Sequence, residues 1–267
     1  MEKRIIEDHL RYSARLKINE IHTFKELDST NSEAVRILES GKTGIQLVVA
    51  NLQTDGRGRR GRRWVSPQGG GLYMSLLHPF TCDAKELQAL SLVSALSVHE
   101  SISKKSGRKL QLKWPNDLIF YKKKLAGILL ELRTFNGGTF LIIGIGVNYL
   151  LREAQKTEIG RPVTDLASLV SDLPTREEMI GNICSILLKN IEKFIAKGFG
   201  SFQESWNIND CYYKSNILIT NGDHCQRGKS LGVNKEGALV LETSEGKKVI
   251  SAGEILPSVK EDQESLG

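Results

Sequence analysis

From about Ser215 onward the chain loses its helical patterning. Upstream, helical and strand-like patterns alternate. Downstream only short apolar runs remain, at 217–220, 230–233, 238–241 and 248–251, with tight turns at 234–237 and 244–246 between them. Four short strands in about 45 residues imply a small β-barrel. The chain therefore reads as two unlike parts, 1–210 and 211–267, meeting near residue 211.

The upstream part reads as α+β, a sheet with flanking helices. Thr30 and Glu33 spell a capping box, and Gly41 ends the helix predicted over 31–40. Asp83 and Glu86 open a second helix, with Leu87, Leu90, Val93, Leu96 and Ile102 at the helical period and Gly107 as its stop. Thr175 and Glu178 open a third that ends at Gly198. Strands are expected over 45–51, 71–78, 109–114, 124–133 and 139–148.

Composition narrows the function classes. At 40% hydrophobic and 25% charged residues the chain is ordinary globular protein. Its longest apolar stretch, 140–151, is interrupted by Gly144, Gly146 and Asn148 and is too short for a membrane span. The four cysteines (82, 184, 211, 225) are scattered, which argues against disulfide or zinc frameworks and for a reducing, cytoplasmic setting. The formal charge is +6, from 37 basic and 31 acidic residues. Five arginines at 57, 59, 60, 62 and 63 supply most of it, since without them the count is 32 against 31. The basicity is one local device, not a nucleic-acid-binding face.

Several motif matches fail in context. Gly56 to Gly61 satisfies G-x-G-x-x-G, but no helix start follows it. Gly228-Lys229-Ser230 lacks the upstream glycine of a P-loop, since Gly222 is one residue too distant, and a strand follows where a G-x-S-x-G elbow needs a helix. The five histidines have no metal-binding spacing, so no protein-caged metal is expected.

Four segments remain. Asp28-Ser29-Thr30-Asn31 places neutral polar groups at a helix N-terminus, which suits a ligand and suits a simple cap equally. Gln53 with 56–64 interleaves glycine and arginine, as close contact with an anion requires. Self-repulsion should leave this loop mobile until an anion binds. Lys113-Trp114-Pro115-Asn116-Asp117 ends a strand in a proline-locked turn, and Lys124 opens an otherwise apolar strand at a pocket rim. Gly144 and Gly146 thin another strand, which admits a ligand or simply a close-packed neighbour.

Together these segments resemble the biotin protein ligase family, from about Thr23 to Leu256. The specific words are Gly-Arg-Gly-Arg-Arg-Gly-Arg-Arg-Trp (56–64), Lys-Trp-Pro-Asn-Asp (113–117), Lys-Leu-Ala-Gly-Ile-Leu (124–129) and Gly-Ile-Gly-Val-Asn (144–148). The resemblance implies a mixed sheet of the class II aminoacyl-tRNA synthetase type, followed by an SH3-like barrel. It also implies a two-step reaction, in which biotin and Mg-ATP form biotinyl-5′-adenylate and a lysine of a biotin carrier protein then takes the biotinyl group.

Carried over residue by residue, Lys124, Arg57, Arg59 and Asp117 are the expected catalytic set. Lys124 bridges carboxylate and phosphate, Arg57 and Arg59 hold the anions, and Asp117 orients or deprotonates the incoming amine. Ser29, Thr30, Asn31, Gln53 and Gly56 are expected around biotin with Arg57 and Lys124, and Gly144 and Gly146 along its tail. Arg59, Arg60, Trp64, Asn116, Lys124 and Asn148 are expected at ATP, with Trp64 under adenine and Mg²⁺ near Asn116 and Asn148. The 151–163 segment gets no assignment.

Bifunctional members begin with a DNA-binding winged helix. Residues 1–22 have no room for a helix-turn-helix, so no DNA binding is expected. Monomer and homodimer both remain open. A lipoate–protein ligase is the runner-up and a nucleic-acid-binding regulator a more distant alternative. The polar 29–31 cluster and the confinement of charge to one loop favour biotin.

Overall fold

Among the residues described by the computed structural model (1–82, 86–221 and 224–256), seven strands form one mixed sheet. They are β1 (Glu20–Phe24), β2 (Gln46–Ala50), β3 (Gly71–Phe80), β4 (Gln111–Lys113), β5 (Asp117–Phe120), β6 (Lys123–Phe135) and β7 (Gly138–Asn148), in the order β1-β2-β3-β7-β6-β5-β4. Only β1 and β2 run parallel. The accompanying helices are α1 (Lys3–His9), α2 (Tyr12–Arg15), α3 (Thr30–Glu39), α4 (Leu90–Ser106), α5 (Glu153–Ile159), α6 (Arg176–Lys197) and α7 (Gln203–Asn209).

Strand alternation sorts the core into two layers. Leu72, Met74 and Leu76 of β3 and Leu141, Ile143 and Ile145 of β7 join the cluster built by α4 and α6. Val48, Leu77 and Ile142 point to the opposite face, where Ala34, Ile37 and Leu38 of α3 cover them. That helix covers only one end of its face, and the other end is free for a site.

Downstream, β8 (Asn216–Asn221), β9 (His224–Val233), β10 (Leu239–Thr243), β11 (Gly246–Ile250) and β12 (Glu254–Leu256) form an antiparallel sheet in the order β11-β10-β9-β8-β12. This is the expected C-terminal β part. Val233, Leu239, Leu241 and Ile255 share one buried cluster with the α4/α6 layer, and the Trp114 indole donates to the Gly237 carbonyl at 3.3 Å.

The structure amends the sequence reading at several points. The Thr30–Glu33 capping box does not form: α3 starts at Thr30, its N-cap Ser29 makes no side-chain bond, and the Thr30 amide turns to Gln53 instead. Residues 1–22 do hold two short helices. Their Ile6, Leu10 and Ala14 pack into the α6 layer, where Gly181 meets the His9 backbone. β1, β5, α5 and α7 were not anticipated. Asp83, the expected start of the second helix, lies outside the described residues, as do Gly222 and 257–267; α4 itself ends at Gly107 as expected. Thr175 caps α6 by accepting from the Glu178 amide at 3.1 Å.

Candidate active site

Strand register builds the floor. Residues directly opposite in antiparallel strands share a face. Ser75 of β3, Gly144 of β7 and Leu129 of β6 form one row across the sheet. Tyr73, Gly146, Gly127 and Asp117 form the next. Both rows lie on the α3 face beyond the helix, beneath a cavity of about 990 Å³. The volume suits an extended small molecule or two joined ones.

The glycines are there because other side chains lie flat on the strands. A Cβ on Gly144 would fall 2.2 Å from Asn31 Oδ1, and one on Gly146 would fall 2.5 Å from Trp64 Cε2. The neutral end of the cavity is a hydrogen-bonded cluster at the start of α3. Gln53 Oε1 accepts from the Thr30 amide at 2.8 Å, Gln53 Nε2 donates to Ser66 at 2.8 Å, and Ser75 Oγ lies 2.6 Å from Asn31 Oδ1.

The rest of the lining is rich in cations. Residues 56–64 close on themselves, with Gly58 donating to the Arg62 carbonyl and Trp64 to that of Gly56. Their arginines find partners on different elements, which offsets the self-repulsion the sequence suggested. Arg57 bonds Glu131 at 2.7 Å, Arg59 bonds Asn116 Oδ1 at 3.2 Å, Arg62 bonds Glu254 and Arg63 approaches Glu158 at 3.7 Å. Burial pushes the Arg59 guanidinium below its usual range. Arg57 Nε and Trp64 Nε1 are buried donors with no acceptor among the described residues. Since buried donors are normally satisfied, these two point to a ligand.

Lys124 lines the same cavity. Its ammonium is 2.5 Å from Asp117 Oδ1 and 5.4 Å from the centre of the Trp64 ring. Burial pushes it below the usual lysine range, against the upward pull of Asp117.

Most expected site residues meet at this cavity: Ser29, Thr30, Asn31, Gln53, Arg57, Arg59, Trp64, Asn116, Asp117, Lys124, Gly144 and Gly146. Three stand apart from it. A Cβ on Gly56 would strike the Trp64 carbonyl at 2.4 Å, so that glycine packs the loop. Arg60 approaches Glu254 at 3.8 Å. Asn148 donates to the carbonyls of Lys124 and Thr164, which makes it a brace for the strand carrying Lys124, and it borders a small side cavity.

Sequence reasoning missed Ser75, Glu131, Glu254 and the 159–162 segment that lines the cavity wall. A polar residue inside an apolar strand was the available signal for Ser75 and Glu131. Nothing local marked residues 159–162.

This sheet, cavity and appended β part define a known class. Residues 23–148 match the model of the biotin/lipoate A/B protein ligase family, and 217–256 that of the biotin protein ligase C-terminal domain. The bifunctional ligase/repressor BirA of Escherichia coli is 32% identical over 230 residues, 86% of this chain and 71% of its own. The biotin–[acetyl-CoA-carboxylase] ligase of Paracoccus denitrificans is 31% identical over 85% of this chain and 96% of its own. The biotin protein ligase of Aquifex aeolicus, solved with biotin and ATP, superposes with a TM-score of 0.77 at 34% identity, covering 89% of this chain and 98% of that one. The chain belongs to the biotin protein ligase family.

Proposed function

We propose that this chain is an ATP-dependent biotin–protein ligase. It activates biotin as biotinyl-5′-AMP, releases pyrophosphate, and passes the biotinyl group to a lysine of a biotin carrier domain such as that of acetyl-CoA carboxylase. The observation that carries this reading is the polarity of one cavity. Neutral hydrogen-bonding groups (Thr30, Asn31, Gln53) and the cations Arg57, Arg59 and Lys124 line it together. Biotin has the same polarity, an uncharged ureido head and an anionic tail. Lipoate has no ureido group for the neutral end to bind.

In the first step a biotin carboxylate oxygen attacks the α-phosphorus, and the bond to the β-phosphate bridging oxygen breaks. The two reactants are both anions, so fixed cations at their meeting point lower the barrier. Lys124 takes that place, with Arg57 and Arg59 alongside and the Trp64 indole under the adenine. In the second step the carrier amine attacks the acyl carbon and AMP leaves, with Asp117 placed to orient the amine or accept its proton. Mg²⁺ would be held mainly by the phosphates of bound ATP and would there neutralise charge on them. Of the two asparagines proposed for the phosphates and Mg²⁺, Asn116 lines the cavity directly.

The division near residue 211, the absence of DNA binding and a cytoplasmic location belong to the same proposal, which monomer and homodimer fit equally. Among the described residues no helix is long and apolar enough to cross a membrane.

Incubation with ATP, Mg²⁺ and either biotin or lipoate, read by mass spectrometry, tests the proposal. Biotinyl-AMP is expected. Its absence overturns the reading, and lipoyl-AMP in its place transfers it to the lipoate ligases.

A further inference from the structure

Glu131 lies behind the neutral end of the cavity and does not line it. On β6 it stands opposite Ile142, one step along the same face from the Gly144–Leu129 row. Its Oε2 accepts from Asn31 Nδ2 at 3.0 Å and from Arg57 Nη2 at 2.7 Å, and its other oxygen is 3.7 Å from Arg133. We propose that Glu131 is a positioning residue that fixes the hydrogen-bond direction of the head-group site, so that Thr30 meets the ligand as an acceptor. This rests on the biotin reading above.

The argument follows the protons. A carboxylate paired with guanidinium groups only accepts hydrogen bonds. Asn31 must therefore turn its NH₂ toward Glu131, which leaves its Oδ1 on Ser75. The Ser75 hydroxyl has a single proton, and at 2.6 Å it must give it to Asn31 Oδ1. The 2.7 Å contact between Ser75 and Thr30 then requires the Thr30 proton. Thr30 Oγ1 also lies 3.1 Å from Gln53 Oε1, but that oxygen already accepts from the Thr30 amide at 2.8 Å, and the shorter contact to Ser75, which has no other proton, takes the hydroxyl hydrogen. What Thr30 Oγ1 keeps for the cavity is a lone pair, the complement of a ureido N–H. One charge at Glu131 thus sets the direction of three hydrogen bonds. Glutamine at that position can donate to Asn31, whose amide can then flip, reversing the relay and turning Thr30 into a donor.

The test uses the full chain, with biotin affinity measured by calorimetry without ATP and KM values for biotin and ATP measured separately. Wild type must first form biotinyl-AMP; if it does not, the functional reading itself fails. E131Q is expected to weaken biotin about tenfold or more, while the KM for ATP stays within about twofold. Unchanged biotin binding in folded E131Q, or an equal rise in both KM values, overturns the proposal. If E131Q melts below the assay temperature, S75A is read in the same assays. It removes the hydroxyl in the middle of the relay, so the same selective loss for biotin is expected and unchanged binding again overturns the proposal.

Discussion

The indole of Trp64 occupies the space that a side chain at Gly146 would fill, and Asn31 does the same at Gly144. The two glycines are two residues apart on one strand face, yet they meet different parts of the cavity lining. Alanine at either position forces a neighbour aside, and such overpacking typically costs about 1–3 kcal/mol. The consequences should separate. G146A displaces Trp64 and is expected to raise the KM for ATP more than that for biotin, and G144A displaces Asn31 and is expected to do the reverse. Steady-state kinetics on the two variants check this, and equal effects on both substrates would refute the assignment of the two ends.

Lys124 is asked to stand between two anions, so its charge matters most before the adenylate exists. K124A is expected to slow biotin-dependent pyrophosphate release by about 10²–10³-fold, the usual scale for losing one preorganised electrostatic contact. Transfer from supplied biotinyl-AMP to a carrier should suffer less. Single-turnover assays of each half-reaction distinguish the two, and normal adenylate formation by K124A would remove it from the first step.

The same lysine predicts a pH profile. Burial lowers its pKa and Asp117 raises it. The ammonium is therefore lost at a lower pH than an ordinary lysine loses its own, and adenylate formation should decline along an alkaline limb below that range. D117N removes the upward pull, so the limb should move to still lower pH. It should also slow transfer if Asp117 handles the amine. Full-rate transfer by D117N excludes that role, and an unmoved limb separates the pH profile from Lys124.

The residues that carry charge or flexibility were legible in the sequence, because their oddity is local. Five arginines among glycines, a lysine opening an apolar strand and two glycines thinning another can each be seen within a ten-residue window. Ser75 and Glu131 were not legible because their role depends on register. Ser75 matters through facing Gly144 across β3 and β7, and Glu131 through reaching Asn31 a hundred residues away. The capping box failed for the same reason. Thr30 and Glu33 satisfy the local rule, but Gln53, brought in from another segment, takes the Thr30 amide. The short β5 was hidden by the turn that starts it.

Asp210 gives the last prediction. It lies where the chain leaves α7, bridged to Leu112 beside the Lys113–Asp117 turn. Its Oδ1 accepts from the Tyr212 amide at 3.0 Å, and its Oδ2 is buried with no hydrogen-bond partner among the described residues. Burial raises its pKa from 3.8 to about 6. The folded chain thus binds this proton more tightly than the unfolded one, so the stabilisation is full below about pH 4 and is lost as pH rises through about 6. At neutral pH the ionised, half-partnered carboxylate opposes folding by roughly 3 kcal/mol. The neighbouring Cys211 thiol, itself pushed up by burial and by Asp210, offers no compensating charge. Asn keeps the acceptor for Tyr212 and cannot ionise. D210N is therefore expected to gain stability over wild type as pH increases from 5 to 7, less the cost of one unpaired amide N–H. Denaturant unfolding of both proteins across that range measures the difference. A gap that does not widen with pH would mean that Asp210 finds a partner once ionised.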